Sequence, residues 1–244
     1  MLSSVLNVIF ACLLIWLACK YFDLKNSLNP SEKRYYNLIN AISEIVDKVE
    51  LYDTQHAREV KDIALSIARK TPMSAKQLET LETAALLHDI GMLMVGSDSL
   101  KSGESLSEDE SYLMRTHPLL AEFYLKKEMT VSDDIPSTIR WHHERWDGFG
   151  YPDGLKGNQI PLPARILALA DSISSMKHDR ISRDKKYETT EDILDELKKQ
   201  AGLQFDPSLV KIYIQIAHSE NTSKTELAQQ NKDNSDSTVS SEVK

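Results

Sequence analysis

The segment from His142 to Gly157, HHERWDGFGYPDGLKG, holds the residue types of a ligand-binding site. It opens on adjacent histidines, and neutral imidazole is the commonest protein ligand for divalent transition metals. The glycines that follow allow the backbone to approach a ligand closely. A plainer interpretation is that the Asp-Gly and Pro-Asp-Gly sequences form ordinary turns and that the aromatic rings simply pack. That interpretation leaves the paired histidines unexplained, so their partners must lie elsewhere in the chain.

Further ligand-type residues fall at the ends or on the apolar faces of predicted helices. Asp89 follows His88 at the end of the apolar run TAALLHDIG, and Asp171 lies within RILALADSIS. A carboxylate is costly to bury in such surroundings unless it meets a cation. Helical proteins build dinuclear metal sites from helices that each deliver one or two ligands to a shared interior. A lone interior histidine is more often a hydrogen-bonded core residue. The candidate ligands here form a larger set: His56, His88, Asp89, His117, His142, His143 and Asp171.

The body of the chain has the pattern of an all-α domain. Apolar residues recur at helical spacing, and strand-like alternation is scarce. Ser74 with Gln77, and Ser107 with Glu110, have the capping-box pattern of helix starts. The predicted helices span residues 31–49, 55–70, 75–89, 108–128, 135–143, 162–177, 190–201 and 207–217.

An uncharged apolar run at residues 2–19 is long enough to cross a hydrocarbon core of about 30 Å. A cleaved signal peptide and a buried helix are the alternatives, but no basic residue precedes the run and no small-x-small site follows it before Lys20. Lys20, Lys25, Lys33 and Arg34 all lie on its C-terminal side. By the positive-inside rule, we predict a single-pass protein of the inner (cytoplasmic) membrane with its C-terminal domain in the cytoplasm.

Composition limits the remaining functions. A net charge of −8 argues against a general nucleic-acid binder, although it allows a local phosphate pocket. Both cysteines, Cys12 and Cys19, lie in the apolar run, so no disulfide framework supports the soluble part. The predicted organisation is a membrane anchor at 1–22, a linker and leading helix at 23–49, a globular domain at 50–218 and a disordered polar tail at 219–244.

The order of these motifs resembles the HD-GYP domains, a branch of the HD metal-dependent phosphohydrolases. The resemblance rests on HDIG at 88–91, RTHP at 115–118 and HHERWDGFGYPDG at 142–154, together with His56 and Asp171 in the order H…HD…H…HH…D. It runs from about residue 50 to AGLQFDPSLV at 201–210 and so covers the predicted globular domain. It is specific, because the His88-Asp89 pair, the His142-His143 pair and the GYP sequence occur in order within one chain.

The resemblance implies an HD-type helical bundle that hydrolyses cyclic di-GMP to linear pGpG and often onward to GMP. The apolar run predicts one N-terminal transmembrane helix before this bundle. The resemblance assigns the seven candidate ligands to two or three divalent transition metals, iron, manganese or similar ions, with Asp89 as the bridging, catalytic carboxylate. Nitrogen-rich ligation suits such metals better than calcium. A metal pair fits this reaction because it generates a metal-bridging hydroxide and holds both the attacking and the leaving oxygens.

The resemblance also assigns substrate contacts and partners. Arg180 and Arg183, in HDRISR, match phosphate-binding positions, and guanidinium forks suit phosphate oxygens; a solvated basic loop is the alternative. Gly150, Tyr151 and Pro152 are similar to the family loop at the pocket mouth, where Tyr151 either stacks on a base or packs on the domain. The implied partners are cyclic di-GMP and a GGDEF-type or other signalling protein bound through the GYP loop, and a homodimer is a further candidate.

Two departures from the family pattern bear on function. Met92 stands where the family usually has a lysine that contacts the scissile phosphate or the leaving group, and loss of one such group costs about a hundredfold or more in rate. Tyr52 replaces the glutamate that trimetal members place four residues before His56, which predicts two metals. The leading hypothesis is a membrane-anchored cyclic di-GMP phosphodiesterase. The alternatives are a low-activity or inactive cyclic-dinucleotide sensor or scaffold, and a phosphohydrolase of another nucleotide, against which the GYP segment argues.

Overall fold

The computed structural model describes residues 16, 30–49, 55–95, 107–129, 131–178, 187 and 189–221. Its helices are α1 Pro30–Val49, α2 His56–Ala68, α3 Ala75–Leu87, α4 Met92–Val95, α5 Glu108–Met114, α6 His117–Glu128, α7 Asp134–Arg140, α8 Leu162–Lys177, α9 Thr190–Gln200 and α10 at 207–221, with a 3-10 turn at Gly157–Gln159. Within these residues there is no β-strand, only an isolated bridge between Ala201 and Phe205. The predicted all-α class is confirmed.

The chain divides into two compact units, Met1–Ala41 and Ile42–Lys244, and the division falls inside α1. In the first unit the structure describes Trp16 and residues 30–41. There the Asn40 side chain donates to the Tyr36 carbonyl at 2.7 Å, one helical turn away. The second unit holds the remainder of α1 and all the later helices.

Several sequence predictions fall outside the described residues. They are Tyr52, Arg180, Arg183, the tail beyond residue 221 and, apart from Trp16, the anchor at 1–22. Among the helices that the structure does describe, none combines the length and the apolar character that a membrane crossing requires.

The core of the second unit forms where α2 packs against α3 and α8. On α2, the buried residues Ala57, Val60, Ala64 and Ile67 follow the three- and four-residue spacing of one helical face. The facing helices contribute residues that are almost all fully buried: Leu81, Ala84 and Ala85 from α3, and Ile166, Leu167, Leu169, Ala170 and Ile173 from α8. The small residues at these contacts let the helices approach closely.

Helix ends differ from the sequence prediction where the candidate ligands lie. The predicted helix at 108–128 is two helices, α5 and α6, because Pro118 occupies the first turn of α6. Proline has no N–H to donate and is tolerated at a helix start but not inside a helix. The helices predicted at 75–89 and 135–143 end at Leu87 and Arg140 instead. Both predicted capping boxes are confirmed, at Ser74 and Ser107.

Gly91 lies in the turn after α3 and packs against the start of α6. A Cβ atom added at Gly91 would lie 2.0 Å from the carbonyl oxygen of His117 and 2.9 Å from the backbone nitrogen of Ala121. These are backbone atoms that cannot rotate away. The glycine of HDIG is therefore required by the close approach of two backbone segments that both carry candidate ligands.

We expect Gly91→Ala to destabilise the domain by at least about 1–3 kcal/mol, because the added methyl group overpacks a backbone contact. Denaturant unfolding followed by circular dichroism, in the presence of a chelator, measures this without a contribution from bound metal. Glu79→Ala, at an exposed position of α3, serves as the control and should change stability by no more than about 0.5 kcal/mol. Equal unfolding midpoints for the two variants would contradict the packing argument.

Candidate metal centre

The seven candidate ligands converge on one buried space in the second unit. They form two groups, His117 with His142 and His143, and His56 with His88 and Asp171, and within each group the ligand atoms lie within 4.8 Å of one another. Asp89 lies between the groups. Its Oδ1 is 3.5 Å from His117 Nε2, and its Oδ2 is 2.9 Å from His88 Nε2. The carboxylate therefore has one oxygen near each of the two groups.

Helix ends position most of these side chains. His56 is the first residue of α2 and His117 the first of α6. His88 and Asp89 lie in the turn after α3, and the two vicinal histidines lie in the turn after α7. Asp171 alone comes from the interior of a helix, α8. Short turns hold adjacent ligands in place because the packed helices on both sides fix their ends.

Three of the histidines are oriented by the same hydrogen bond. Nδ1 of His88 lies 2.9 Å from the Ala85 carbonyl, Nδ1 of His117 lies 2.7 Å from that of Met114, and Nδ1 of His142 lies 2.6 Å from that of Ile139. Each acceptor belongs to the last turn of a helix, where carbonyls lack helical N–H partners. Because a carbonyl can only accept, each Nδ1 carries a proton, and in the neutral ring Nε2 then presents a lone pair to the site.

The resulting contact between two imidazoles is the strongest indication of a bound cation. His117 Nε2 and His142 Nε2 lie 3.4 Å apart. Both rings use Nδ1–H on a carbonyl, so two lone pairs face each other in a buried space and repel. A cation between them converts this repulsion into coordination, and a donor set of five imidazoles and two carboxylates suits a transition metal. The residues therefore fit the metals that the sequence resemblance implies.

The charges of the site favour the same conclusion. Burial lowers the pKa of His143 to about 4, and burial together with the neighbouring rings lowers that of His142 well below its usual value. Burial opposes ionisation of Asp89 and Asp171, but the surrounding histidines outweigh it and hold both pKa values below the usual range. For His88, burial is outweighed by the two carboxylates, which raise its pKa to about 10. The two carboxylates thus favour positive charge at His88, which a bound cation would supply in place of a proton.

A cavity of about 270 Å³ opens onto the candidate ligands. Its described walls are Asp89, Met92, Met114, His117, His143, Tyr151, Asp171, Ser172, Ser175 and Gln204, and none of these is a lysine or arginine. Met92 is only 4% exposed and faces this space as the first residue of α4. An apolar thioether therefore occupies the position at which the family lysine was expected.

The GYP loop forms one side of the cavity mouth. Tyr151 stacks on His143, with ring centroids 4.9 Å apart and planes inclined by 26°. A Cβ atom added at Gly150 would lie 2.3 Å from the Arg145 nitrogen and 2.6 Å from the His143 carbonyl oxygen. The loop thus packs directly on the turn that carries the vicinal histidines. The Tyr151–Pro152 peptide is cis.

Buried polar side chains hold this loop in place. Glu144, 3% exposed, accepts backbone hydrogen bonds from Asp153 at 2.7 Å and from Gly154 and Leu155 at 3.0 Å each. Arg140 donates to both oxygens of Asp153 at 2.8 Å, which lowers the pKa of this carboxyl to about 2. Glu144, the third residue of HHE, therefore stabilises the loop by hydrogen bonds and is not among the seven candidate ligands.

Sequence reasoning missed several residues at the mouth. Arg115 is exposed, and its guanidinium carbon lies 5.4 Å from the Tyr151 ring centroid. Ser175 Oγ lies 3.4 Å from Asp171 Oδ1. Arg115 lies two residues before His117 and Ser175 four residues after Asp171, so their closeness to candidate ligands could have been read from the sequence. Gln204 carried no such signal, since only the fold brings it to the cavity.

Comparisons with known proteins place the chain in a family. A family model described as HD domain matches residues 39–209. The chain is 31% identical over 185 residues to a cyclic di-GMP phosphodiesterase response regulator of Xanthomonas campestris, an alignment covering 75% of this chain and 48% of the relative. It is 30% identical over 192 residues to a 3′3′-cGAMP-specific phosphodiesterase of Vibrio cholerae, covering 76% of this chain and 34% of the relative.

A solved structure supports the same fold. The crystal structure of a cyclic GMP-AMP-specific phosphodiesterase of Vibrio cholerae aligns with a TM-score of 0.60 at 22% identity, covering 74% of this chain and 48% of that chain. At this identity the likeness concerns the fold alone. The chain spans about half or less of the length of each of these relatives.

We expect Mn²⁺ binding at pH 7–8 to release about one proton per chain, because a cation must displace the proton that His88 holds with a pKa of about 10 in the metal-free site. Lowering the pH should then weaken binding about tenfold per unit. Isothermal titration calorimetry in two buffers of different ionisation enthalpy counts the protons, and Ca²⁺ serves as the control ion that nitrogen donors disfavour. Identical heats in both buffers would contradict this assignment.

Proposed function

The chain belongs to the HD-domain family, and on that premise we propose that it is a metal-dependent phosphodiesterase that hydrolyses cyclic di-GMP. The observation that carries the proposal is the pair of imidazole lone pairs 3.4 Å apart, with the Asp89 carboxylate between the two ligand groups. This arrangement calls for two cations in one water-accessible cavity. Hydrolysis of a phosphodiester at neutral pH uses such a pair.

In this proposal the chain's residues divide into two ligand groups and a bridge. His117, His142 and His143 hold one ion, while His56, His88 and Asp171 hold the other. Asp89, with one oxygen near each group, would contact both ions and is proposed as the catalytic carboxylate. Two iron or manganese ions, when bound, supply an activated water and neutralise phosphate charge.

The proposed substrate contacts lie around the mouth of the cavity. Tyr151 presents one face to His143, and Gly150 and Pro152 fix its position in the loop. Arg115 adds a described guanidinium near this mouth, and Arg180 and Arg183 are proposed as further phosphate ligands on the basis of the family pattern. A cyclic dinucleotide has two phosphodiesters, so cations are needed beyond those at the cleavage point.

The proposed substrate follows from two sources, the family pattern and the names of the relatives. The Xanthomonas relative is named for cyclic di-GMP and the Vibrio relative for 3′3′-cGAMP, which are both cyclic dinucleotides. Cyclic di-GMP is proposed as substrate, with linear pGpG and then GMP as products. 3′3′-cGAMP is the competitor that an assay must include.

A low-activity or inactive sensor of cyclic dinucleotides is the second candidate. The buried Met92 in the cavity wall favours it, since a thioether offers no charge to the leaving group. Such a protein would bind metal and nucleotide through the same residues and signal through a partner.

We also propose that residues 1–22 anchor the chain in the inner membrane with the C-terminal domain in the cytoplasm, as the basic residues after the apolar run indicate. A GGDEF-type or other signalling partner at the GYP loop and a homodimer are further proposals. The loop offers Phe149, which is 85% exposed, as a contact for either.

We expect the full-length chain, assayed anaerobically with Mn²⁺ or Fe²⁺, to convert cyclic di-GMP to pGpG, and we expect Met92→Lys to raise kcat by up to about a hundredfold. The new ammonium would face the cavity and stabilise the departing oxygen. Met94→Lys is the matched control, because it adds the same charge at an exposed position of α4. Chromatography of the products distinguishes cyclic di-GMP from 3′3′-cGAMP turnover.

The outcome of this assay separates the two candidate functions. Turnover by the wild-type chain supports the phosphodiesterase. A metal-loaded wild-type chain that gives no product, combined with activity in Met92→Lys, would favour the sensor. Loss of activity in Asp89→Asn is expected in any active form, and full activity in that variant would refute the proposed centre.

Membrane fractionation tests the proposed anchor. The full-length chain is expected in the membrane fraction and resistant to extraction by high salt, because burial of the apolar run holds it there. Removal of residues 1–22 should transfer the protein to the soluble fraction. Recovery of the full-length chain in the soluble fraction would rule out an uncleaved anchor.

A further inference from the structure

The Nδ1 atom of His56 is held by a side chain, whereas the Nδ1 atoms of three other candidate ligands are held by backbone carbonyls. His88, His117 and His142 each donate Nδ1–H to a carbonyl of a helix end. His56 is the first residue of α2. A helix start has spare N–H groups rather than spare carbonyls. His117 also starts a helix, but α5 ends just before it and supplies the Met114 carbonyl, whereas the acceptor described for His56 comes from another helix, α8.

Ser174 supplies that acceptor. Its Oγ lies 2.9 Å from His56 Nδ1 and is 2.8 Å from Glu59 Oε2. A serine hydroxyl has one proton to donate and two lone pairs. A proton given to Glu59 leaves Oγ to accept the Nδ1–H of His56. His56 Nε2 then presents its lone pair toward Asp171 Oδ1, 3.3 Å away.

His56, Ser174 and Glu59 form a hydrogen-bond relay, and the environment of Glu59 determines which group donates to which. Its carboxylate accepts from Lys177 Nζ at 3.0 Å and lies 2.8 Å from His178 Nε2, in addition to the Ser174 contact. Burial raises the pKa of Glu59, but these hydrogen bonds outweigh it and lower the pKa below its usual value. An ionised carboxylate only accepts hydrogen bonds, so the Ser174 proton points to Glu59 and not to His56.

The relay lies in the packed interface between α2 and α8. Glu59 follows His56 by three residues on α2, and Ser174 follows Asp171 by three residues on α8. Each relay residue is therefore one turn away from a ligand of the same group. Ser174 is fully buried, so water does not replace its hydroxyl easily if the side chain is shortened.

We propose that Ser174 and Glu59 are positioning residues that fix the ring of His56 and thereby set the metal affinity of the His56–His88–Asp171 group separately from that of the His117–His142–His143 group. The inference rests on the proposed metal centre. It makes the two halves of that centre unequal, because two of the three histidines in one half depend on backbone carbonyls while His56 depends on side chains.

The test is Mn²⁺ binding by the metal-stripped, full-length chain, with the Ser174→Ala variant beside the wild type. Two ions per wild-type chain are expected. In Ser174→Ala one ion should bind 10- to 100-fold more weakly, which is the usual effect of removing a group that orients a ligand, and the other should bind within about twofold of wild type. Electron paramagnetic resonance should change from a spin-coupled pair to a single-ion signal at limiting Mn²⁺.

Ser66→Ala is the matched control, because Ser66 on α2 bonds only the Ile63 carbonyl of its own helix among the contacts described; it should bind both ions as wild type does. Ser174→Thr keeps the hydroxyl and should restore binding. If the circular dichroism of Ser174→Ala shows that this variant does not fold, Glu59→Gln takes its place. In Glu59→Gln, too, one ion should bind more weakly and the other should bind as in the wild type.

Two results would overturn the inference, and they are distinguishable. Unchanged binding of both ions in a folded Ser174→Ala chain, or in Glu59→Gln, would reject the relay and leave the metal centre intact. Absence of Mn²⁺ binding by the wild-type chain would reject the proposed metal centre and the relay together.

Discussion

Crowding of imidazole lone pairs and carboxylates into one buried space is the constraint on which the rest of this domain depends. His117 and His142 face each other through Nε2 at 3.4 Å, and Asp89 and Asp171 add negative charge beside them. Such a cluster is costly to bury by itself. Cations remove the repulsion and the charge together, so the apolar core that surrounds the cluster is compatible with a metal-loaded site.

Helix ends satisfy this constraint because they carry hydrogen-bonding groups that the helix does not use. Carbonyls of the last turns of α3, α5 and α7 each hold one histidine ring in the tautomer that coordinates metal. The sharp boundaries that create these ends have local causes. Pro118 starts α6 at the position where His117 is needed, and Gly91 allows the turn after α3 to touch it.

The loop that follows the vicinal histidines serves both the ligands and the cavity mouth. Glu144 and the Arg140–Asp153 pair fold it back on itself, and Tyr151 then rests on His143. Met92 adds an apolar side chain to the cavity wall. The domain therefore joins the candidate metal centre to a cavity whose described walls carry no lysine or arginine, with the Arg115 guanidinium beside Tyr151 at its mouth.

The sequence by itself determined the helical class, the identity of the seven candidate ligands and the family, because residue type, helical spacing and motif order are local properties of the chain. It placed the helix starts well where capping boxes mark them, at Ser74 and Ser107. Only the tertiary structure decided how the ligands divide into two groups and that Arg115, Gln204 and Ser174 belong to the same region. These facts depend on distances between segments far apart in sequence, and the packing of α2, α3 and α8 fixes them. The ring orientation of His56 is the clearest case, since its acceptor lies 118 residues away along the chain and becomes a neighbour only when two helices pack.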